Sequence, residues 1–278
     1  MYKKDGRALP FDFDPKVVAA IDARLEEVER MHGARILLAI ESGSRAWGFP
    51  SPDSDYDCRF IYVRHKNRYL SPWQPRDVIE TPLDALLDVN GWDLGKALKL
   101  LLKGNAVIAE WLASPATYRT DTRFRAEMNE FADRFSDRTG IALHYLHLGE
   151  RQYRTHFDNE KAVPLKRLFY VLRPAIALRW MRLHAAASRP PMHFPTLMAE
   201  CAPPANLVGL VDKLLAAKAI TKELGSGPLP PLIRDFVAAE FEAARTIFIS
   251  APRQLSPVAR EAAETLFRRW ADKLLSSA

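Results

Sequence analysis

The chain has 278 residues, 48% of them hydrophobic, a formal net charge of +6 and a pI of about 9.3. That is enough apolar chain for a sizeable core without a metal or disulfide staple, and low glycine with ordinary proline usage excludes collagen-like and disordered classes. The basic balance favours an anionic partner such as RNA, DNA or nucleotide. Two distant cysteines, Cys58 and Cys201, show no CxxC spacing, which points away from a disulfide framework or a zinc site. No apolar run follows the N-terminal residues and none approaches the roughly eighteen residues of a membrane span, so a cytoplasmic protein with no membrane partner is expected.

Residues 1–14 read as a loose entry. Val17, Val18, Ile21, Leu25 and Val28 recur with helical spacing and predict a helix over 15–31. Residues 35–41 and 56–63 read as strands, and 77–82 and 85–90 as shorter extended segments. From Asp93 onward the pattern turns helical, with helices expected over 93–104, 105–113, 121–135, 138–156, 164–184, 204–222, 230–249 and 257–275. They are punctuated by Ser114-Pro115, Val163-Pro164 and the glycine–proline stretch from Gly225 to Pro231. The fold class is therefore α+β: a small mixed-sheet unit over 1–115, then an all-helical unit over 116–278 that closes over it. Trp92, Trp111 and Trp180 are expected to fill core between sheet and helices.

The densest chemistry lies between the first two strands. A hydrophobic strand runs into Gly43-Ser44, after which Arg45-Ala46-Trp47 can begin a helical turn. Glycine lets a phosphate approach the backbone, and N–H groups at such a turn attract anions. Some eleven residues after Ser44 come Asp55 and Asp57. Alternate residues of a strand share a face, so the two carboxylates aim at one point, where a divalent cation relieves their repulsion. The structural alternative is a turn at Asp53-Ser54-Asp55 and a solvated strand end at Asp57.

The run Gly43-Ser44-Arg45-Ala46, Gly48 and Ser54-Asp55-Tyr56-Asp57 resembles the DNA polymerase β-like nucleotidyltransferases, whose signature is a Gly-Ser turn followed by an Asp-x-Asp pair. The stretch Asn90 to Leu98, Gly104-Asn105, Glu110-Trp111-Leu112, Ser114-Pro115, the segment Lys166 to Pro174 and Trp180 are similar to the RNA-repair-associated branch called RlaP. The likeness covers about residues 35–185. It implies an NTP substrate and two Mg²⁺ ions (with Mn²⁺ as the alternative) bridged by Asp55 and Asp57. It also implies a third carboxylate on a later strand, for which Asp84, Asp88 and Asp93 compete. Asp93 precedes Leu94 where a helix should start and reads as an N-cap. Asp84 follows Pro82 and reads as a turn residue. Asp88 lies in the apolar run Leu86-Leu87-Asp88-Val89, six residues before Leu94, where related sequences carry an Asp. Asp88 is therefore the expected base for the acceptor hydroxyl or a further metal ligand, with an acid on an open sheet face as the alternative.

Two helical stripes remain. Lys166, Tyr170 and Arg173 fall at i, i+4 and i+7, suited to a triphosphate or RNA backbone with a base on Tyr170, or simply to a basic face paired with acids. His144, His147, Arg151 and Arg154 form a second basic stripe that the helix dipole also accounts for. Arg45 and Lys96 could reach the phosphates or serve in surface ion pairs. The expected reaction is transfer of a nucleotidyl group from an NTP to a hydroxyl with release of pyrophosphate, the favoured acceptor being an RNA end. A small-molecule hydroxyl, a protein hydroxyl, or a catalytically silent nucleotide- or RNA-binding protein are the competing readings.

Overall fold

The computed structural model of the protein describes residues 6–84, 86–157, 160–221, 224–249 and 255–272. Expected element positions 85, 222 and 273–275 lie outside these. Helix α1 (Pro15–His32) is opened by Asp14, whose carboxylate accepts the Lys16 N–H at 2.8 Å, and closed by Gly33 in the left-handed region at φ 54°. Its buried residues are Val17, Val18, Ile21, Leu25 and Val28, the expected stripe. Then follow β1 (Ala34–Ser42), the short helix α2 (Gly43–Trp47), β2 (Tyr56–Arg64), α3 (Lys66–Tyr69), β3 (Val78–Glu80) and β4 (Leu87–Asp93). Helices α4 (Leu94–Leu102) and α5 (Ala106–Ala113) lead to β5 (Thr117–Thr120) and α6 (Thr122–Phe135).

These strands make one mixed sheet in the order β3-β4-β2-β1-β5, with β2 and β4 parallel and the other pairs antiparallel. One face packs on α1 through Ile21, Leu25, Ala39, Cys58, Phe60 and Tyr118. The other packs on α4, α5 and α6 through Leu38, Ile61, Leu98, Trp111 and Phe124. Trp92 and Trp111 lie ring on ring with centroids 4.1 Å apart in this layer.

The remaining helices are α7 (Arg138–His156), α8 (Leu168–Leu183, entered through a single 3₁₀ turn at Leu165–Arg167), α9 (Phe194–Cys201), α10 (Ala205–Ile220), α11 (Pro231–Ile247) and α12 (Pro257–Asp272). A two-residue pairing of β6 (Val163–Pro164) with β7 (Ser226–Gly227) ties the entry of α8 to the loop before α11. Helices α7 to α11 share a separate core built around α8, whose Phe169, Leu172, Ile176 and Met181 are buried. Phe49, from the loop after α2, joins that core by stacking on Phe169 at 5.0 Å.

The expected helices are present, and two more stand beside them: the single turn α3, and α9, which punctuation by Pro195, Pro203 and Pro204 obscures. Two features cross residue 115. Strand β5 lies beyond it and completes the sheet against β1. Helix α12 turns back to the sheet layer, where Trp270 is fully buried, packs edge-on to Phe124 at 5.1 Å and donates its indole N–H to Glu127 at 2.9 Å. Cys58 and Cys201 are buried free thiols in different cores. Among the described residues, no helix is long and apolar enough to cross a membrane.

Candidate active site

Strand β1 delivers the chain to Gly43 at the end of the sheet where β2 and β4 begin. Gly43 adopts φ +63°, and a Cβ there would overlap the Asp57 carboxylate. Both facts require glycine: the conformation is disfavoured for L side chains, and Asp57 occupies the space one would fill. The register explains the closeness, since Ser42 on β1 pairs with Asp57 on β2.

The loop between α2 and β2 is fixed by short polar contacts. Ser44 donates its hydroxyl to Ser54 Oγ at 2.9 Å, and Ser54 Oγ also accepts the Ser51 N–H at 2.9 Å. Arg45 lies 3.8 Å over the Tyr56 ring and donates to the backbone oxygens of Ser54, at 2.6 Å, and Asp55, at 3.1 Å. Its guanidinium thus holds the Asp55 backbone in place. Lys218 of α10, almost fully buried, donates to the carbonyl of Phe49 in the same loop, and burial lowers its pKa to about 8.

Asp57 sits opposite Asp88 across the parallel β2–β4 pair. The two acids are partly exposed and share one cation. Arg59, two residues along β2 and so on the same face, donates to Asp57 Oδ1 at 2.9 Å and to Asp88 Oδ2 at 2.6 Å. Arg59 also donates to the backbone oxygens of Asp88, at 2.7 Å, and Cys58, at 3.1 Å. Asn90 donates to the other Asp88 oxygen at 2.5 Å. Burial raises the pKa of Asp57; Asp55 and Asp88 push it further up, and Arg59 works against them. Asp55 itself is exposed at the mouth of β2.

Behind Asp57, on the α1 face, Glu41 is fully buried. It accepts the Asp57 backbone N–H at 2.9 Å and the Tyr118 hydroxyl, and burial raises its pKa to about 8. Ser114 donates to the Glu41 backbone oxygen at 2.8 Å. Strands β1, β2 and β5 are thereby locked together directly beneath the acids.

The three competing acids occupy different settings. Asp84 accepts the N–H groups of Leu86, at 2.9 Å, and Leu87, at 2.7 Å, and forms a turn. Asp93 ends β4 and caps α4 by accepting the Gly95 N–H at 2.8 Å, while its second oxygen accepts the Tyr69 hydroxyl at 2.6 Å. Asp88 alone of the three stands beside Asp57.

The helical stripe divides. Tyr170 is half-buried, meets Trp47 edge-on at 5.8 Å and has Arg167 5.2 Å over its ring; burial raises its pKa, Arg167 works against that, and Asp57 and Asp55 push it further up. Lys166 reaches to within 3.7 Å of Asp53 on the α2–β2 loop. Arg173 differs from the phosphate-binding expectation: it is 4% exposed, pairs with Glu110 at 2.5 Å and lies 4.4 Å over the Trp47 ring. Lys166 lies in the 3₁₀ turn before α8 and Arg173 inside the helix, so the two do not share one exposed helical face. On α7, burial lowers the His144 pKa, with Glu110, His147 and Arg151 also in range. Lys96 is held by Asp77 at 3.1 Å.

Sequence reading passed over Arg59, Glu41 and Lys218. Arg59 was accessible in part, since its i+2 spacing from Asp57 puts it on the carboxylate face; its bond to Asp88 depends on β2 pairing with a strand 29 residues later.

The donors suit a hard divalent cation: Asp55, Asp57 and Asp88 offer only carboxylate oxygens, and all three charges act on one another at Asp57. Among the described residues no three His, Cys, Asp or Glu side chains are already gathered as a metal cage, and Arg59 bridges Asp57 and Asp88.

Comparison with known proteins places the chain in a family. Residues 17–269 match the model of the RlaP family, described as the RNA repair pathway DNA polymerase beta family. The chain belongs to that family. It is also similar to the uncharacterized protein YcgL of Bacillus subtilis (strain 168), with 38% identity over 218 residues that cover 78% of this chain and 83% of the relative. Family membership points to nucleotidyl transfer of the polymerase β kind and to RNA repair.

Proposed function

We propose that the protein transfers a nucleoside monophosphate from an NTP to the hydroxyl of an RNA end. The observation that carries this reading is the placement of Asp57 opposite Asp88 on parallel strands, directly against the Gly43 turn. The backbone at Gly43 and Ser44 would seat the triphosphate, with the Ser44 hydroxyl turning from Ser54 to add a donor and Lys166 leaving Asp53 to reach the outer phosphates. Asp55, Asp57 and Asp88 would hold a pair of Mg²⁺ ions, or Mn²⁺, and the chemistry such ions supply is a lowered pKa at the acceptor hydroxyl and neutralised charge on the pyrophosphate.

In the transfer itself the acceptor oxygen forms a bond to the α-phosphorus and the bond from that phosphorus to the pyrophosphate oxygen breaks. Asp88 takes the hydroxyl proton. It is free to do so only once Arg59 has released it, so binding at the site and movement of Arg59 are coupled. Tyr170, whose ring now carries Arg167, would offer that ring to the nucleotide base once Arg167 moves aside.

Incubation with each labelled NTP and Mg²⁺, in the presence of RNA, a panel of small hydroxyl compounds, or cell lysate, tests the reading. RNA should be labelled. Asp57→Asn should abolish labelling, and Asp88→Asn should bind NTP yet fail in single-turnover transfer. Undiminished transfer by Asp57→Asn would overturn the assignment, and label on a small molecule or protein alone would replace RNA as acceptor.

A further inference from the structure

The excursion between β2 and β3 carries a surface that the transfer site does not use. Residues 65–76 read His-Lys-Asn-Arg-Tyr-Leu-Ser-Pro-Trp-Gln-Pro-Arg: four basic side chains and no acid. Trp73 is 87% exposed and Leu70 77% exposed. Arg68 and Arg76 are exposed as well, and Lys66 is partly so. The neighbouring acids are already committed: Asp93 to Tyr69, Glu80 to Arg76 at 2.9 Å, and Asp77 to Lys96. Lys66 and Arg68 therefore leave the patch positive.

The backbone that carries the exposed ring is held in place. Tyr69 anchors the segment inward, donating to Asp93, accepting the Arg64 N–H at 2.9 Å and packing on Phe267 at 4.9 Å. Above it, Gln74 donates to the backbone oxygens of Tyr69 and Ser71, each at 3.0 Å, and the Trp73 N–H is donated to Ser71 Oγ at 3.1 Å. An indole presented to water on a hydrogen-bonded turn, flanked by lysine and arginine, has the chemistry that stacks on an unpaired base while cations meet the phosphates on either side.

We propose that residues 65–76 form a second contact for single-stranded RNA, remote from the reacting end. The inference rests on RNA being the acceptor. The surface lies past the far end of β2; Asp57 and Arg64 are seven residues apart on that strand, roughly 23 Å at ~3.3 Å per residue. RNA that reacts at Asp57 would reach Trp73 only several nucleotides from its end, so the surface selects for length and leaves the chemical step alone.

The test is fluorescence anisotropy on the full chain with labelled unstructured RNAs of about 20 and about 4 nucleotides, lengths that exceed and match a minimal single-strand site. The longer RNA should bind the wild type more tightly. Trp73→Ala should lose at least about tenfold on the longer RNA and clearly less on the shorter, which cannot span both surfaces, and Trp73→Phe should recover most of the loss. Lys66→Ala and Arg68→Ala should each lower the salt slope by about 0.7. Melting shifts with NTP and Mg²⁺ should be unchanged in all four variants. Wild-type affinity of Trp73→Ala for the longer RNA, or equal binding of both lengths by the wild type, overturns the surface. If labelled RNA product still forms in that case, the acceptor reading survives; if no RNA is bound or labelled at all, both fall.

Discussion

Arg59 serves as the built-in counter-ion of the acidic site, and its removal makes the strongest test of that arrangement. In Arg59→Met the guanidinium that donates at 2.9 Å to Asp57 and 2.6 Å to Asp88 is lost, and two adjacent carboxylates face each other without a cation. Breaking a buried pair by removing one partner costs about 3–5 kcal/mol. These side chains are 19–25% exposed, so water recovers part of that, and about 2–3 kcal/mol is expected. For a chain of this size the melting temperature should fall by roughly 5–10 °C in EDTA. Millimolar Mg²⁺ should then restore much of the loss, because the vacated carboxylates bind it in place of the guanidinium, whereas the wild type should gain less. Thermal melts of both proteins in EDTA and across a Mg²⁺ titration read this directly, with no substrate present. Equal melting of the two in EDTA, or equal gains from Mg²⁺, would refute the idea that Arg59 and metal compete for Asp57 and Asp88.

Gly43→Ala should cost about 1–2 kcal/mol for the left-handed backbone alone and more as the new methyl displaces Asp57, with NTP-induced stabilisation lost in the same melts. Arg173→Ala should leave NTP affinity intact and destabilise the helical core by about 3 kcal/mol, because Glu110 loses its buried counter-ion and keeps the Tyr145 hydroxyl, measured by urea unfolding; a selective loss of NTP binding would return Arg173 to the phosphates. Lys218 has a folded pKa near 8 against 10.5 ordinarily, so the unfolded chain binds more protons between these values and stability should rise with pH across that window. The shift corresponds to about 3 kcal/mol, and urea midpoints of the wild type and Lys218→Met at pH 8 and 10.5 should diverge in that direction.

The sequence made the helices and the Gly43-Ser44 turn readable because both are local. Helical spacing located α1 and α7 within a residue or two, and Asp14, Asp93 and Asn105 cap from the positions that precede apolar periodicity. The sorting of Asp84, Asp88 and Asp93 was also local, since turn, strand and cap differ in their immediate neighbours. What escaped depends on pairing across the chain. Thr117-Tyr118-Arg119-Thr120 is four residues of mostly polar type, and becomes a buried strand only because β1 and Glu41 receive it. Lys218 reads as one more basic residue on α10, and its burial arises from a loop 169 positions earlier. Arg173 misled because period alone cannot say which side of a fully enclosed helix faces a site; α8 is buried nearly all round.

The return of α12 to the sheet has a consequence for how the protein can be divided and made. The sheet's last strand ends at Thr120, yet Leu266 and Trp270, which seal one of its apolar faces, are synthesised only after the whole α7–α11 bundle. The bundle thus stands in sequence between two segments that share one core, and a fragment stopped after β5 is expected to emerge with that face unsealed and prone to self-association. A ribosome-stalled nascent chain should accordingly gain protease resistance in its N-terminal third only when a C-terminal linker carries α12 out of the exit tunnel to pack against α4 and α6.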